Sequence, residues 1–277
     1  MSGFSPDWLA LREPVDHRSR NPQLVRALQA RFEGRSTVTV VDLGCGTGSN
    51  LRAVAPLLGP EQSWTLVDND PELLVAARDT LRRWADEATA DGDTLRLTRD
   101  GRQIAVGFRQ ANLAQDLEAA LGEPADLITA SALFDLASPE FIRQVAVAVA
   151  ARRAAFYTVL TYNGIQRWTP RHPADNAMTA AFHQHQMRDK GFGPSAGPTA
   201  PAHLADRFRL GGYGVLEGES PWVLGPGDAR LIGELQRGFV EAVRETRALD
   251  DKTLDAWAKA PRTGCEVGHT DTLAVPA

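Results

Sequence analysis

The sequence has few cysteines and no long apolar segment. Its 277 residues include only two cysteines, Cys45 and Cys265, which provide neither a disulfide framework nor the repeated spacing of a cysteine metal site. No apolar run approaches the length of about 20 residues that a membrane-spanning helix needs. The N-terminus also lacks the charged and then apolar segment of a secretory signal. We therefore expect a cytoplasmic protein with no metal site and no membrane association.

An excess of positive charge is also missing. The formal net charge is −5 and the sequence pI is about 5.7. Domains that bind nucleic acid usually carry a basic surface, so this charge balance predicts that no nucleic acid is bound. A chain of this length can bury one large core, and we expect a single α/β domain over residues 1–277.

The sequence does contain a glycine-rich loop between a strand pattern and a helix pattern. Residues 38–50 read V-T-V-V-D-L-G-C-G-T-G-S-N. The β-branched run suits a strand that is buried on both faces, and Asp42 follows it. Gly44, Gly46 and Gly48 let the backbone turn sharply and approach a ligand closely, because no Cβ intervenes. A strand, a glycine-rich loop and a helix open a nucleotide-binding fold.

The spacing of the glycines distinguishes two kinds of loop. The dinucleotide fingerprint G-x-G-x-x-G has its third glycine where this chain has Ser49, and Gly48 falls one residue early, which disfavours a nicotinamide-dependent oxidoreductase. The pattern D-x-G-x-G-x-G from Asp42 to Gly48 resembles motif I of the class I S-adenosylmethionine (SAM)-dependent methyltransferases. For the loop alone, a tight strand-helix turn without a ligand is the alternative.

A second acidic residue ends the next strand pattern. Residues 64–74 read W-T-L-V-D-N-D-P-E-L-L, in which Asp70 is suited to an N-cap and Pro71 to the first helical position. Asp68 lies 20 residues beyond Gly48, the distance at which an acid at the end of strand two meets ribose hydroxyls. The alternative is that Asp68 only caps a turn.

The resemblance implies SAM as the cofactor and suggests the residues that hold it. In the family, the glycine loop wraps the methionine part of SAM and the motif I acid orients the cofactor's amino group. Asn112 has the position of a polar residue that contacts the adenine, although the family more often has Asp there. Arg20 or Arg12 is a candidate to pair with the methionine carboxylate, because a guanidinium fork fits a carboxylate, and a solvated arginine is the favoured alternative for either residue. The predicted cofactor-binding residues are Arg20, Asp42, Gly44, Gly46, Gly48, Asn50, Asp68, Asn69, Asn112 and Ser131.

Periodicity along the chain predicts a Rossmann-like, doubly wound α/β fold with helices on both faces. The helical patterns cover residues 6–11, 23–32, 51–58, 71–84, 139–150, 175–190, 203–210 and 228–247. The strand patterns cover residues 38–41, 64–68, 94–113 with a turn at Asp100-Gly101, 125–131, 154–161, 213–224 and an edge strand at 265–276. Besides the added strand before Asp100-Gly101, this gives seven strands, mostly parallel. The resemblance implies the order 3-2-1-4-5-7-6, with the last strand antiparallel between strands five and six.

Two segments are expected to cover the ligands. Residues 1–34 form a predicted N-terminal helical lid over the cofactor, as in many class I methyltransferases. Residues 162–202 form a predicted lid insertion after strand five, where the substrate is selected. A connection of this length in a compact domain is usually functional or mobile.

Three side chains are the candidate catalytic residues. Asp135 follows the carboxyl end of strand four, where open α/β sheets bind ligands, although capping of the next helix is an equal alternative. Tyr162 at the exit of strand five is a candidate for substrate binding. His185 shares an apolar helix face with Phe182, whereas His183 lies opposite. If that face covers the site, His185 is the candidate base, because its pKa lies near neutrality; a buried structural histidine is the alternative.

These features predict a SAM-dependent methyltransferase that acts on a small molecule and releases S-adenosylhomocysteine. The methyl group is displaced in line, so the protein must mainly align a nucleophile and exclude water, and no catalytic triad is needed. Two alternatives stay open: an aminopropyltransferase-like enzyme, which would need acidic residues for a polyamine, and a non-catalytic module that binds SAM or a nucleotide. The sequence leaves the oligomeric state open, with a homodimer as one alternative.

Overall fold

Ten strands join in one mixed β-sheet within residues 4–277, the part of the chain that this computed structural model describes. The strands are β1 (Thr37–Leu43), β2 (Glu61–Asp68), β3 (Glu87–Asp91), β4 (Thr94–Arg99), β5 (Arg102–Gln110), β6 (Leu127–Ser131), β7 (Ala155–Thr169), β8 (Tyr213–Glu219), β9 (Trp222–Leu224) and β10 (Gly264–Pro276). The helices are α1 (Pro6–Ser19), α2 (Pro22–Phe32), α3 (Ser49–Val54), α4 (Pro71–Trp84), α5 (Leu117–Leu121), α6 (Pro139–Arg152), α7 (Asp175–Gln186), α8 (Ala200–Leu210), α9 (Ala229–Thr246) and α10 (Asp251–Lys259).

The strand order is β3-β4-β5-β2-β1-β6-β7-β10-β8, and β9 also pairs with β10. Strands β5, β2, β1, β6 and β7 are parallel, whereas β10 is antiparallel to its neighbours β7 and β8. The chain therefore has the predicted Rossmann-like sheet, and its last strand lies between the predicted fifth and sixth strands. Strand β10 is not the edge strand that the sequence suggested, because it has a partner on each side.

The predicted count of seven strands is wrong. Strand β3 reads E-A-T-A-D and is exposed at every residue, so it has no apolar alternation that a sequence pattern could reveal. The sixth predicted strand is split into β8 and β9, because Pro221 between them has no N–H to donate to a sheet. The hairpin before β5 was anticipated, and its Asp100-Gly101 turn has positive φ at both residues.

Two apolar cores lie on opposite faces of the sheet. Side chains alternate along β1, so Val38 and Val40 belong to one core, whereas Val41 and Leu43 belong to the other. The first core packs against α1, α2, α4, α7, α9 and α10, and the second packs against α5, α6 and α8. This two-sided cover explains the continuous apolar run of β1.

Several helix boundaries differ from the predictions. Helix α1 continues through Pro14 to Ser19 rather than ending near residue 11, while α3 ends at Val54 and is followed by a 3-10 turn that contains Pro56. Helix α10 was not predicted, although its Leu254 and Trp257 are buried. No helix in the described part of the chain is both long and apolar enough to cross a membrane.

The segment after strand five begins differently from the predicted insertion. Residues 162–169 continue β7, because β10 pairs with this strand as far as Thr169. Helix α7 then packs against α9, and a loop leads to α8. Residues 170–199 therefore form the connection between β7 and α8, which is eight residues shorter at its start and three shorter at its end than the predicted residues 162–202.

One buried carboxylate joins three parts of the fold. Asp271 on β10 accepts hydrogen bonds from the backbone N–H of Leu160 at 2.8 Å, the hydroxyl of Ser220, and the backbone N–H of Asn21 at 2.8 Å. Leu160 has a φ of +59°, an unfavourable conformation for a residue with a branched side chain. Asp271 thus holds an irregular point of β7 and the start of α2 against the sheet.

Replacing Asp271 by alanine is expected to lower the free energy of unfolding by about 3 kcal/mol, because three buried donors lose their acceptor. Denaturant unfolding measures this change. Asp206→Ala is the control, since the Asp206 side chain is 73% exposed and its loss should change the stability by less than about 0.5 kcal/mol. Equal effects of the two substitutions would show that Asp271 does not have this role.

Candidate active site

The glycine loop between β1 and α3 has the conformation that its glycines allow. Gly44, Gly46 and Gly48 have φ values of +65°, +54° and +77°, which residues with side chains rarely adopt. A Cβ on Gly46 would lie 3.0 Å from Cδ1 of Leu9 on α1. The first helix therefore contacts the loop, and a lid over a cofactor formed by residues 1–34 stays a prediction.

Asp68 at the end of β2 holds this loop in place. One carboxylate oxygen accepts from the backbone N–H of Gly46 at 2.8 Å, and the other accepts from the backbone N–H of Asp70 at 3.0 Å. Burial raises the pKa of Asp68, and these backbone donors partly offset the rise. The turn-capping alternative is thus realised. Each oxygen keeps a further lone pair, so the contact with ribose stays a prediction.

A chain of buried polar side chains lies behind the loop. Arg20 donates to the Asn50 oxygen at 2.8 Å, and the Asn50 amide donates to Asp42 at 2.7 Å and to Thr129 at 3.0 Å. The chain is incomplete at both ends. Nε and Nη1 of Arg20, Oδ2 of Asp42 and the hydroxyl of nearby Tyr157 are buried without a hydrogen-bond partner in the described part of the protein.

The unpartnered atoms at the two ends have opposite charge. Asp42 is completely buried, and burial raises its pKa to about 7, while Asn50 and Arg20 act in the opposite direction. Buried charged groups without partners are costly, so these atoms are candidates to bind a polar ligand. A guanidinium with free donors and a carboxylate with a free acceptor match the carboxylate and ammonium groups of an amino acid.

A second group of polar residues lies at the carboxyl ends of β6 and β7. Asp135 is 8% exposed in a 3-10 turn after β6, and burial raises its pKa to about 6. The capping alternative for Asp135 is wrong, because Ser138 is the N-cap of α6 and accepts from the backbone N–H of Phe141 at 3.1 Å. The Asp135 carboxyl group instead faces the backbone N–H of Tyr162.

The histidine beside Tyr162 is His183, not the candidate base His185. The Tyr162 hydroxyl lies 3.0 Å from Nε2 of His183, whose ring also contacts the backbone of Gly164. His185 points elsewhere: its ring lies 3.1 Å from a Glu245 carboxylate oxygen and 3.3 Å from Nζ of Lys190. Helix α7 thus turns the His185 side chain towards α9, and the role of His185 as a base stays a prediction.

Three further residues complete this group, and sequence reasoning did not assign them to it. Arg12 on α1 is held by Asp16 at 2.9 Å and lies over the ring of Trp222, 5.1 Å from its centroid. His269 on β10 lies edge-on to Trp222, with 5.4 Å between ring centroids. Within the described residues 4–277, Nδ1 of His269 is buried without a partner, and burial lowers its pKa to about 3. The sequence held a signal for His269. It is two residues from Asp271, so the two side chains lie on the same face of β10.

The remaining predicted cofactor residues lie at the same edge of the sheet. Asn69 follows β2, and its carbonyl oxygen accepts from the Gln110 side chain at 3.2 Å. Asn112 follows β5 and lines a groove of about 490 Å³ together with Arg109 and Gln110. Ser131 is half-buried at the end of β6. The fold therefore brings these three residues to the carboxyl ends of the strands, where open α/β sheets bind ligands.

Solved structures share this fold at low sequence identity. The YcgJ protein from Bacillus subtilis has a TM-score of 0.53 and 14% identity, over 94% of this chain and 98% of that chain. The cyclopropane synthase MmaA2 from Mycobacterium tuberculosis has a TM-score of 0.52 and 12% identity, over 98% and 94% of the two chains. A candidate methyltransferase from Bacillus halodurans has a TM-score of 0.51 and 11% identity, over 91% and 99%.

No protein-family model matches the sequence, and no curated protein matches it. The structural similarity, together with the order and direction of the strands, defines the class: the chain has the Rossmann-like fold of the class I SAM-dependent methyltransferases.

Replacing Asp42 by asparagine is expected to stabilise the ligand-free protein above neutral pH. The pKa of Asp42 is about 7 in the folded chain, against an ordinary value of 3.8 that applies to the unfolded chain. The free energy of unfolding therefore falls as the pH rises between these two values. Asparagine has no charge to bury and keeps an acceptor for Asn50. We expect a melting temperature at least about 2 °C above wild type at pH 8 and a smaller difference at pH 5.

Thermal melts of wild type, Asp42→Asn and Asp206→Asn across this pH range measure the effect. Asp206 is exposed and serves as the matched control. A difference between Asp42→Asn and wild type that does not change with pH would contradict the buried ionisation.

Proposed function

We propose that the protein is a SAM-dependent methyltransferase that transfers a methyl group to a small-molecule acceptor and releases S-adenosylhomocysteine. The observation that carries this proposal is the pair of unpartnered groups at the ends of the Arg20–Asn50–Asp42 chain. SAM has an α-carboxylate and an α-ammonium group on one carbon, which is the combination that these two ends fit.

The other residues near the loop fit the remaining parts of SAM. The backbone of the glycine loop offers close approach without a Cβ, Asp68 offers carboxylate oxygens to ribose hydroxyls, and Asn112 offers an amide near the adenine. When bound, SAM supplies an electrophilic methyl group on a sulfonium sulfur. The chain's own contribution is to align the acceptor and exclude water from it.

Helix α1 supports the exclusion of water. Leu9 covers Gly46, His17 lies 3.0 Å from the hydroxyl of Ser49, and Glu13 accepts from Arg52. These contacts fix α1 over the place that we propose for the methyl donor. A site enclosed by α1 favours a small acceptor over a large one. The net charge of −5 disfavours nucleic acid. We also propose a cytoplasmic location, and a homodimer stays an alternative.

The aminopropyltransferase alternative has less support. It needs several carboxylates for a polyamine, and Asp135 is the carboxylate that follows β6 at the site. The non-catalytic module stays an alternative that ligand binding and methyl transfer together can separate.

Calorimetric titration with SAM, S-adenosylhomocysteine and NAD tests the cofactor. We expect micromolar binding of the first two ligands and none of NAD. Binding of NAD alone would overturn the proposal. Binding of SAM without methyl transfer to any acceptor in a broad panel would favour the non-catalytic module.

Arg20→Gln is expected to weaken SAM binding by about tenfold to a hundredfold, because the carboxylate loses a charge-assisted partner. Arg18→Gln is the matched control, since Arg18 is exposed and pairs with Asp228 at 2.8 Å. Calorimetry measures both affinities, and a melt of each ligand-free variant reports its folding. Equal SAM affinities of the two variants would remove the carboxylate assignment.

Asp68→Asn tests the ribose assignment separately. The asparagine oxygen can keep one backbone hydrogen bond to the loop, but the charged acceptor for ribose is lost. We expect SAM affinity to fall about tenfold, with affinity for methionine unchanged, because methionine has no ribose. A parallel loss of both affinities would mean that Asp68 acts only by holding the glycine loop.

A further inference from the structure

The buried carboxylate of Asp135 lacks a cationic partner of its own. Within residues 4–277, no side chain donates a hydrogen bond to Asp135 or forms an ion pair with it, and the groups that lower its pKa are backbone N–H groups and the more distant Arg12. Arg12 is already neutralised, because both oxygens of Asp16 accept from its guanidinium at 2.9 and 3.3 Å. These three charged groups together leave one uncompensated negative charge in a buried place.

The side chains around Tyr162, whose backbone N–H faces Asp135, are aromatic. Tyr162 has Phe182, His183 and His269 around its ring at centroid distances of 6.0, 5.9 and 6.5 Å. His269 is neutral, since burial lowers its pKa to about 3, and its Nδ1 has no partner. Aromatic faces and a carboxylate attract an organic cation, whereas they offer nothing to a second anion.

The neighbouring His183 orients the hydroxyl of Tyr162. Burial lowers the pKa of His183, so its imidazole is neutral near pH 7 and its Nε2 can accept the Tyr162 proton at 3.0 Å. With that proton directed to His183, the Tyr162 oxygen has its lone pairs free to accept an N–H. Burial raises the pKa of Tyr162 and the charge of Asp135 adds to that rise, so the carboxylate acts on the hydroxyl as well as facing the Tyr162 backbone N–H. Asp135 and Tyr162 therefore offer two acceptors in the same part of the protein.

Helix α1 connects this place with the glycine loop. Leu9 contacts Gly46, and Arg12, three residues later on the same helix face, acts on Asp135 and His269. Three residues of helix span about 4.5 Å. The helix that carries Arg12 thus also contacts the loop that, under the proposed function, holds the methyl donor.

From these contacts we propose that Asp135 and Tyr162 bind the amino group of the methyl acceptor, so that the acceptor is a small amine with an apolar or aromatic body. This inference rests on the proposed function and deepens it by naming the substrate class. Asp135 holds the ammonium form by charge, and Tyr162, aligned by His183, accepts a hydrogen bond from it.

The test uses the full chain saturated with S-adenosylhomocysteine, with benzylamine and benzyl alcohol as probes of equal size. Ligand-observed NMR titration measures both dissociation constants. We expect benzylamine to bind at least about tenfold more tightly than benzyl alcohol to the wild type, because only the amine carries a charge for Asp135. Equal affinities, tighter binding of the alcohol, or no binding of either probe would overturn the inference.

Variants test which residues cause the preference for benzylamine. Asp135→Asn should abolish the preference for benzylamine, and Tyr162→Phe should reduce it while leaving the affinity for benzyl alcohol unchanged. Asp206→Asn, which removes an exposed carboxylate of α8, should keep the full preference. A preference that survives in Asp135→Asn would show that the amine binds elsewhere and would overturn the assignment.

S-adenosylhomocysteine affinity separates this inference from the proposed function. A wild type that binds S-adenosylhomocysteine but does not prefer the amine contradicts only the acceptor class. A wild type that binds neither S-adenosylhomocysteine nor SAM contradicts the proposed function itself. Asp135→Asn should bind S-adenosylhomocysteine as tightly as wild type, since Asp135 lies outside the groups assigned to the cofactor.

Discussion

The burial of Asp42 at the carboxyl end of β1 is the constraint on which the rest of the site depends. A carboxylate without exposure is costly, and its pKa of about 7 expresses that cost. Asn50 and Arg20 offset part of the cost, and they must come from α3 and from the junction of α1 and α2 to do so. Through Asn50 and Arg20, the buried Asp42 thus links the N-terminal helices to the sheet.

Helix α1 is the element that both proposed ligand places share. Its contacts with the glycine loop lie within one turn of Arg12, which faces Asp135 and Trp222. A movement of α1 would therefore open the two places together. This coupling suits a group transfer in which the donor and the acceptor must both be enclosed before water can compete.

Much of the fold followed from local sequence patterns, but parts that rely on distant partners did not. Helix α4 has the bounds and buried residues that its periodicity and Asp70 cap predicted, because caps and amphipathic spacing act within one element. Strand β3 and residues 162–169 of β7 carry no such pattern and are strands because a neighbouring strand pairs with them. The direction of the His185 side chain could not be predicted for a similar reason, since it depends on where α9 packs.

The sequence by itself determined the glycine loop, the acids after β1 and β2, and the αβ alternation, because each depends on a conformation or spacing that neighbouring residues impose. The tertiary structure alone decided which charges stay uncompensated. Whether Arg20 reaches Asn50 beside Asp42, or Asp135 lacks a cation, depends on residues far apart in the chain and on the exclusion of water between them. No local pattern reports burial of that kind, so the chemistry of the site becomes visible only when the chain is folded.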